Sequence, residues 1–596
     1  MILFPYRKLG TLLRLPLNNN NMSLCSFTSA TQGVHSKKFR HSKINVRRWH
    51  MLSSFNQPRR VPVSVTNREN IYRAHASTEA SPATDTEPVH KYETIPGPAP
   101  KPVLGNRFIF SKYGEFPLHR FWDSVFKMRS RHGDVVKIAA VKPGLDMVWL
   151  FNPEHIRMLY KAEDQCPIRP PFDLLQAYRR SRPEVFTSAG LVNGNGPEWK
   201  RLRKAIPSLL KFQTIASYRE RQALVAHDLA TAIKSHSSHN NTAISKDPSC
   251  NLVPSKSTRT KSTSFKSSQV LPENQTFCQR IAHDIPDVMQ LLFRYTLEAV
   301  GVVALGRFQG CLTQNNTGAA EIITANENFL TSLGESIFAL PLHTIFATPN
   351  YRRLRDAHDH INRVVEASFL DLESAFQESP SKLEREQPFV WSLMTNSQLS
   401  RQDRLLILIE VFMGGIDATA STLAFCLYFL ARSPHWQEEL HREVRGLNLT
   451  SDSLQDLPVL RGVLKESYRL RPSPSGVARI LQRDVVVGGY EIKRGVLVQA
   501  IPFLASRAPT QFADPDVFNP GRWIRRDLQT KDGERDLLSQ SFIMEDETSR
   551  EADPDASSDA ATAGNHPGFR ETGLGQVLRL NMMPAAPIAI RFIERH

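Results

Sequence analysis

The feature that most constrains this fold is a long segment, from about Asp403 to Arg432, that is apolar on nearly every face. A helix of this kind has no polar side to turn toward water, so it must cross the interior of a large domain. Helical periodicity also dominates the chain from Phe151 to about residue 470. The sequence therefore predicts a mainly α fold built around one central helix.

A small β region completes the predicted fold. Two β-rich runs, Val135–Val141 and Met147–Phe151, precede the helices. Short strands separated by glycine-containing turns are predicted after residue 484, at Val485–Val487, Tyr490–Ile492 and Val496–Gln499. No run reaches the roughly 18 consecutive apolar residues that a bilayer-spanning helix needs, so we expect no spanning anchor.

The positive charge of the chain is concentrated at its N-terminus. The formal net charge is +16, but residues 1–68 hold twelve Lys and Arg residues and no Asp or Glu. A leader rich in Arg, Lys and Ser and free of acids is typical of an organelle presequence, and a disordered basic tail is the alternative. Because the remaining charges are nearly balanced and no stacking aromatic residues accompany the basic leader, we do not expect nucleic-acid binding.

Composition divides the chain into four parts. We assign residues 1–75 to a presequence and linker, and residues 92–526 to the folded domain. A Ser-, Thr- and Lys-rich stretch at 235–275 predicts a disordered insertion within that domain. An acidic stretch at 527–575 is also predicted to be disordered, and 576–596 to contain closing strands.

The six cysteines indicate neither a zinc site nor a disulfide framework. They are scattered, without CxxC spacing, and none follows Cys426. We expect reduced, mostly buried thiols, and we predict no metal-ligand cluster from spacing.

The central helix contains the hexapeptide Gly414-Gly415-Ile416-Asp417-Ala418-Thr419. Two adjacent glycines in a helix interior cost about 1 kcal/mol each relative to alanine, so another interaction should compensate. Close approach of a flat ligand would do so, and Asp417 and Thr419 beside such a gap could pass protons. A helix–helix contact with a capped polar pair is the alternative explanation.

Two further motifs place charged residues one helical turn apart. Glu466 and Arg469 form ExxR, and Arg522 follows in the sequence Phe-Asn-Pro-Gly-Arg-Trp. ExxR alone is usually a surface ion pair, but FxPxRW some 50 residues later makes the combination specific. Trp199 and Arg203 form WxxxR, which suits a carboxylate ligand, although a core Trp beside a surface Arg is more frequent.

In chain order, Pro96-Gly97-Pro98, WxxxR, the GGxD helix, ExxR and FxPxRW resemble the signature series of the cytochrome P450 family over about residues 92–527. Leu457–Asp527 and Phe293–Leu312 resemble its mitochondrial branch in particular. The resemblance implies the cytochrome P450 fold, mainly α with a small β region. It also implies one haem b, whose iron is held by a cysteine thiolate.

The resemblance also implies roles for individual residues. Arg479 joins Trp199 and Arg203 in holding a haem propionate, and Gly414 and Gly415 border the oxygen pocket. Asp417 and Thr419 take the catalytic, proton-delivering positions. Glu466, Arg469 and Arg522 form a buried structural triad, and Arg461 and Lys465 present cations to an acidic ferredoxin.

The family further implies a reaction and a location. It predicts hydroxylation of a lipophilic, sterol-like substrate by O2, with electrons from a ferredoxin. The enzyme is expected in the mitochondrion, associated peripherally with the inner membrane.

Two departures from the family pattern bear on activity. The family's oxygen-activating threonine corresponds to Ala418, and Thr419 lies about 100° further round the helix. More seriously, the cysteine-containing loop that should follow Trp523 is absent. Val577–Arg595 resembles the family's closing strands, so the haem-ligand segment is missing from within the C-terminal region. We interpret Cys311 as a buried core thiol, because it lies before the oxygen helix in the chain.

The absent cysteine leaves two hypotheses about function. The first is the monooxygenase that the family implies. The second is a catalytically inactive, haem-poor variant from the same gene, with at most binding activity.

Overall fold

The computed structural model describes residues 88–102, 105–142, 145–235, 282–313, 316–447, 457–524, 569–570, 576–578, 581–584 and 586–593. All of these lie within one compact unit, Asp85–His596. The predicted presequence and nearly all of the predicted 235–275 insertion lie outside the described residues.

Helices account for most of the described chain, which confirms the predicted fold class. Short 3-10 turns occur at Tyr92–Thr94, Arg107–Phe110, Leu118–Arg120, Leu342–Thr344 and Pro520–Trp523. The α-helices are α1 (Phe121–His132), α2 (Pro153–Lys161), α3 (Asp173–Arg180), α4 (Gly190–Asn193), α5 (Gly196–Arg203), α6 (Pro207–Leu210), α7 (Phe212–Ser217), α8 (Arg219–Ser235), α9 (Val288–Ala304), α10 (Thr317–Ser336), α11 (Pro349–Glu378), α12 (Pro380–Glu386), α13 (Pro388–Met394), α14 (Arg401–Ala431), α15 (Pro434–Val444), α16 (Pro458–Leu470) and α17 (Pro502–Ala505).

The strands are short and form small sheets. They are β1 (Val135–Lys142), β2 (Leu145–Leu150), β3 (Ala282–Ile285), β4 (Val477–Ile480), β5 (Val485–Val487), β6 (Tyr490–Ile492), β7 (Leu497–Ala500), β8 (Val517–Phe518), β9 (Phe569–Arg570), β10 (Gln576–Leu578), β11 (Met582–Pro584) and β12 (Ile590–Ile593). The largest sheet has the order β1-β2-β7-β4, with β2 and β7 parallel and the other neighbours antiparallel. The remaining pairs are β5–β6, β10–β11, β3–β12 and β8–β9.

Helix α14 is the predicted central helix, two residues longer at its start than the sequence indicated. Its N-terminus is closed by a capping box in which Ser400 and Asp403 bond to each other's backbone N–H. Residues from Leu405 to Ala424 along this helix belong to the largest hydrophobic core. Among the described residues it is the one helix long and apolar enough to cross a membrane, but 61% of the relevant window is buried inside the protein.

The two adjacent glycines of α14 have different surroundings. A Cβ atom at Gly415 would lie 2.6 Å from Cγ2 of Val300 on α9, so this glycine permits a close helix–helix contact. A Cβ atom at Gly414 would meet nothing within 4 Å. Helix packing therefore explains Gly415. It does not explain Gly414, which faces open space.

One predicted boundary differs from the structure. Residues 527–575 were expected to contain no ordered element, and most of them lie outside the described residues. Phe569 and Arg570, however, form β9 and pair antiparallel with Phe518 and Val517. Backbone hydrogen bonds to β8 stabilise this two-residue strand. They do not depend on the composition of the acidic stretch that precedes Phe569.

The contrast between the glycines leads to a matched pair of substitutions. Gly415→Ala should lower the free energy of unfolding, because overpacking costs about 1–3 kcal/mol. That cost exceeds the gain in helix propensity of about 1 kcal/mol. Gly414→Ala should be neutral or stabilising. Urea unfolding followed by circular dichroism measures both, and Val300→Ala should partly rescue Gly415→Ala. Equal effects of the two alanines would contradict this packing.

Candidate functional site

A fully buried carboxylate, Glu466, organises the end of the described domain. It lies on α16, where Arg469 donates Nε and Nη2 hydrogen bonds of 2.8 Å to its two oxygens. The backbone N–H of Asn519 donates to Oε1 at 2.9 Å, and Nε1 of Trp523 donates to Oε2 at 2.9 Å. Arg522 completes the cluster with an Nε–Oε1 distance of 3.2 Å. The structure thus brings together Glu466, Arg469 and Arg522, the three residues of the expected triad.

Arg469 extends the cluster to neighbouring loops. Its guanidinium donates to the carbonyl oxygens of Ser506 at 2.9 Å, Pro515 at 2.6 Å and Val517 at 3.2 Å. Close packing reinforces this connection, because a Cβ atom at Gly462 of α16 would lie 2.7 Å from the carbonyl oxygen of Pro520. One arginine therefore joins α16 to three points in the chain that follows.

The charges around Glu466 decide its ionisation. Burial by itself would raise the pKa of Glu466, but the positive charges of Arg469 and Arg522, together with the hydrogen bonds, lower the pKa below its usual value. The carboxylate is therefore ionised at neutral pH.

A second group of positive charges collects around Trp199. Trp199 and Arg203 lie one turn apart on α5, and the guanidinium carbon of Arg169 sits 4.9 Å from the centre of the Trp199 rings. The N–H of Ile480 donates to the carbonyl oxygen of Ile168 at 2.8 Å, which places Arg479 on β4 beside Arg169. The segments that carry Arg169, Arg203 and Arg479 thus lie close together.

The neighbouring positive charges affect the pKa of Arg169. Burial, the charge of Arg479 and the charge of Arg203 lower the pKa of Arg169 to about 10, while Glu410 opposes the shift. Arg479 is itself buried, and its Nε lies 2.7 Å from Oε1 of Glu163. Arginines grouped in this way suit an anionic ligand. We call Arg169, Arg203 and Arg479, with Trp199, the cation cluster.

Arg169 was not recognised from the sequence. The only local signal is the sequence Ile168-Arg169-Pro170, in which a residue before proline is held extended. Its position depends on residues distant in the chain. Its backbone is clamped by the Asn195 side chain through hydrogen bonds of 2.9 Å at both N–H and C=O, and its Nη2 donates to Leu191 and Gly194 carbonyls at 2.9 Å.

The predicted catalytic residues point in different directions from α14. Asp417 is buried, and its Oδ1 accepts a 3.0 Å hydrogen bond from Nδ2 of Asn326 on α10. Thr419 and Gly414 are exposed, and Ala418 is half-buried. The hydroxyl of Thr419 and the carboxylate of Asp417 therefore lie in different environments.

A chain of short contacts links the cation cluster to this open part of α14. Arg169 donates to the carbonyl oxygen of Leu191, and the N–H of Leu191 donates to Oε2 of Glu410 at 2.6 Å. Glu410 also pairs with buried Arg179 at 2.7 Å. Gly414 lies one helical turn beyond Glu410 on the same face of α14. These contacts thus connect the cation cluster, through Glu410, to the face of α14 on which Gly414 lies.

The two residues expected at a ferredoxin surface differ in exposure. Arg461 is exposed on α16. Lys465 is half-buried, with Nζ 5.5 Å from the centre of the Trp523 rings. Both lie on the helix that holds Glu466.

Comparison with known proteins agrees with this geometry. The family model for cytochrome P450 matches residues 95–536, most of the chain. The chain belongs to the cytochrome P450 family. The family that its sequence motifs indicated is therefore confirmed. The cofactor of this family is haem iron.

Several relatives are named as mitochondrial enzymes or monooxygenases. The chain is 27% identical over 450 residues to cytochrome P450 302a1, mitochondrial, of Drosophila melanogaster, covering 73% of this chain and 81% of the relative. It is 28% identical to the 25-hydroxyvitamin D-1 alpha hydroxylase, mitochondrial, of Rattus norvegicus, covering 72% and 79%. It is 26% identical to the ecdysone 20-monooxygenase of Drosophila melanogaster, covering 72% and 74%.

A solved structure shares the fold. Cyanobacterial CYP120A1 with bound retinoic acid superimposes with a TM-score of 0.52 at 17% identity, covering 73% of this chain and 82% of that one. At this identity the likeness establishes the P450 fold and nothing more specific.

The residues of this P450 fit one end of a haem and not its iron. The cation cluster suits two carboxylates, and Gly414 offers a surface without side chains. The family's ligand follows the FxPxRW motif, where this sequence has no cysteine. Among the described cysteines, burial raises the pKa of Cys426 to about 11, and burial and Glu298 raise the pKa of Cys311. Cys311 is a buried core thiol, as predicted, and these two thiols are protonated at neutral pH.

The Glu466 cluster should make the stability of this P450 sensitive to acid. A carboxyl whose pKa is lowered on folding stabilises the native state above its unfolded pKa of about 4.3, and this contribution is lost as the pH falls through the folded value. Glu466→Gln should cost about 3 kcal/mol or more at pH 7, because it leaves buried arginines unpaired.

Urea unfolding between pH 7 and pH 3 measures the difference. The gap between the parent chain and Glu466→Gln should shrink as the pH falls below about 4.3. Asp371→Asn is the matched control, because the Arg307–Asp371 pair has side chains that are 51% and 69% exposed and should contribute little. A gap that does not change with pH would contradict an ionised Glu466.

Proposed function

We propose that this P450 scaffold serves a mitochondrial monooxygenase that hydroxylates a lipophilic, sterol-like substrate with O2 and ferredoxin-delivered electrons. The observation that carries the proposal is the cation cluster beside the open face of α14, on a chain of the P450 family. Relatives named as a vitamin D hydroxylase and an ecdysone monooxygenase support the reaction class and the sterol-like substrate. The acid-free leader and the relatives named as mitochondrial support the location.

The site residues take the following roles in this proposal. Trp199, Arg203, Arg169 and Arg479 hold the haem carboxylates. Gly414 leaves room for the flat ring, whereas Gly415 serves helix packing. Asp417, oriented by Asn326, takes the proton-delivery position on the oxygen side. Thr419 is exposed, and no hydrogen-bond partner of its side chain is found among the described residues, so we give it the lesser part.

A second candidate is a catalytically inactive, haem-poor variant of the same enzyme. The specific observation that favours it is the absence of any cysteine after Cys426. A P450 without a thiolate on iron loses the electron donation that cleaves the O–O bond. For the chain with this sequence, the second candidate predicts binding without turnover.

The carbon monoxide spectrum of the reduced protein separates the two candidates. Thiolate-ligated haem gives the red-shifted Soret band that names the family, whereas haem held by nitrogen, oxygen or no protein ligand does not. The band in the full chain reconstituted with haem would show a thiolate on the iron and support the monooxygenase. Its absence from a folded protein would rule out thiolate-dependent turnover by this chain and leave the inactive variant.

Exposed Arg461 should contribute to docking of an acidic ferredoxin. Arg461→Glu should weaken binding of a [2Fe–2S] ferredoxin several-fold at low salt, and the difference should shrink as salt screens the contact. Arg363→Glu, an exposed position on α11, is the control. We choose Arg461 rather than Lys465 for this substitution because Lys465 also packs on Trp523, so changing Lys465 would disturb that contact as well. Unchanged affinity in titrations of Arg461→Glu would remove α16 from the docking surface.

Peripheral attachment to the inner membrane is supported by an apolar patch before α11. Leu342, Ile345 and Phe346 are 42%, 80% and 54% exposed. Nearby, Phe338 stacks on Phe110 at 4.2 Å, which ties this segment to the Arg107–Phe110 turn. An exposed cluster of this type is typical of a membrane-contacting surface.

Vesicle flotation tests this attachment. Ile345→Asp should reduce co-flotation with vesicles that contain an anionic phospholipid, because a charge cannot enter the interface without cost. Leu224→Asp on α8 is the control, since Leu224 is also exposed, at 56%, but lies elsewhere. Equal flotation of the two variants would exclude the patch as the contact.

A further inference from the structure

The chain that follows Trp523 leaves and returns beside helix α16. At the start, Nε1 of Trp523 donates a 2.9 Å hydrogen bond to Oε2 of Glu466 on α16. At the end, Phe569 of β9 pairs with Phe518 of β8. The N–H of Asn519, the residue after Phe518, donates to Oε1 of the same Glu466 at 2.9 Å. Both ends of the intervening chain are therefore attached next to α16.

One part of this intervening sequence combines apolar and acidic residues. Phe542-Ile543-Met544 is followed directly by Glu545-Asp546-Glu547. Residues 542–559, which we call the acidic segment, contain a single basic residue, Arg550. Their seven acidic residues are Glu545, Asp546, Glu547, Glu551, Asp553, Asp555 and Asp559. The segment therefore suits a surface that offers cations next to an apolar side chain.

The exposed side of α16 is such a surface. Arg461 and Leu464 lie one helical turn apart, and Lys465 lies next to them on the same side. Arg461 is exposed, Leu464 is 43% exposed, and Lys465 is half-buried. We call these three residues the α16 face.

Arg461 has no carboxylate partner within the part of the chain that the structure describes. A neighbouring carboxylate, Glu443 of α15, is bonded to the backbone of α16 instead. Its two oxygens accept the N–H groups of Val459 and Leu460 at 2.8 Å each. Glu466, further along α16, is fully buried in its own cluster. The guanidinium of Arg461 is therefore available to an added anionic group.

The acidic segment is long enough to reach the α16 face from both attachment points. Phe542 lies 18 residues after Ile524, and an extended chain of that length spans about 60 Å. Asp559 lies ten residues before Phe569, which corresponds to about 33 Å. Helix α16, with 13 residues, is about 20 Å long. Chain length therefore places no restriction on contact with any part of the face.

We propose that the acidic segment docks on the α16 face of its own chain and competes there with an acidic partner protein. Arg461 and Lys465 attract the acids, and Leu464 gives the apolar triplet at 542–544 a surface to cover. The identity of the competitor rests on the proposed ferredoxin docking at Arg461, whereas the docking of the segment does not. Both contacts use Arg461, so each excludes the other.

A fluorescently labelled peptide with the sequence of residues 542–559 tests the docking. The full chain is compared with a neutralised variant that carries Glu545→Gln, Asp546→Asn and Glu547→Gln. A tethered segment has an effective concentration of about 1 mM. With a dissociation constant of about 0.1 mM for the free peptide, the peptide should bind the parent chain about tenfold more weakly than the neutralised variant. Fluorescence anisotropy at low salt measures both affinities.

Two further chains locate the contact. Arg461→Glu in the neutralised variant should weaken peptide binding at least about fivefold, because a repulsive charge replaces the attractive one. The matched control for loss of negative charge carries Glu220→Gln, Asp228→Asn and Glu384→Gln, three exposed acids on α8 and α12. This control should bind the peptide as weakly as the parent chain does. Circular dichroism checks that all four chains are folded.

Titration with a [2Fe–2S] ferredoxin measures the competition. The neutralised variant should bind ferredoxin several-fold more tightly than the parent chain at low salt, because the α16 face is then vacant. The difference should shrink as salt is added, since charges more than about 10 Å apart are screened at 0.1 M salt. The control with neutralised acids on α8 and α12 should match the parent chain.

The outcomes separate this inference from the proposed function. Equal peptide affinities for the parent chain and the neutralised variant, or peptide binding to neither, would overturn the docking of the segment. Peptide binding that survives Arg461→Glu would overturn the α16 face as its site. Ferredoxin binding that responds to Arg461→Glu but not to the neutralised segment would overturn the competition and leave the proposed ferredoxin surface intact. Ferredoxin binding that ignores Arg461→Glu would remove that surface, while the peptide titrations still decide the docking.

Discussion

The buried ion cluster at Glu466 is the interaction on which the described C-terminal half of the domain depends. A carboxylate with no exposure to water is tolerated only if its oxygens are fully hydrogen-bonded and its charge is balanced. Arg469, Arg522, Trp523 and the backbone of Asn519 meet both conditions. The cluster therefore holds α16 against the loops that follow, and α16 in turn carries exposed Arg461.

Helix α14 connects the cation cluster with the open surface at Gly414. Because it is buried along most of its length, its few open positions are informative, and Gly414 is one of them. Glu410, one turn earlier, binds the N–H of Leu191 and pairs with Arg179, so α4 and α3 are attached to the same helix. The cation cluster is thereby connected to the face of α14 on which Gly414 lies.

The family establishes ancestry and fold, while chemistry depends on individual residues. This chain retains the charged groups that suit haem carboxylates and lacks the cysteine that gives the family its reactivity. Membership of the family therefore does not by itself establish monooxygenation by this chain, because that reaction needs a sulfur donor on the iron.

The sequence by itself determined the elements whose signal is local. Apolar residues on all faces predicted α14, alternation predicted β5 and β6 at their observed bounds, and the spacing of Glu466, Arg469 and Arg522 indicated a shared cluster. Only the tertiary structure decided which residues meet across long separations. Arg169 reaches Trp199 and Arg479, Asn326 reaches Asp417, and Val300 explains Gly415 while Gly414 stays open. The physical reason is that periodicity reports which face of an element is buried, whereas the partner on that face is set by how distant elements pack.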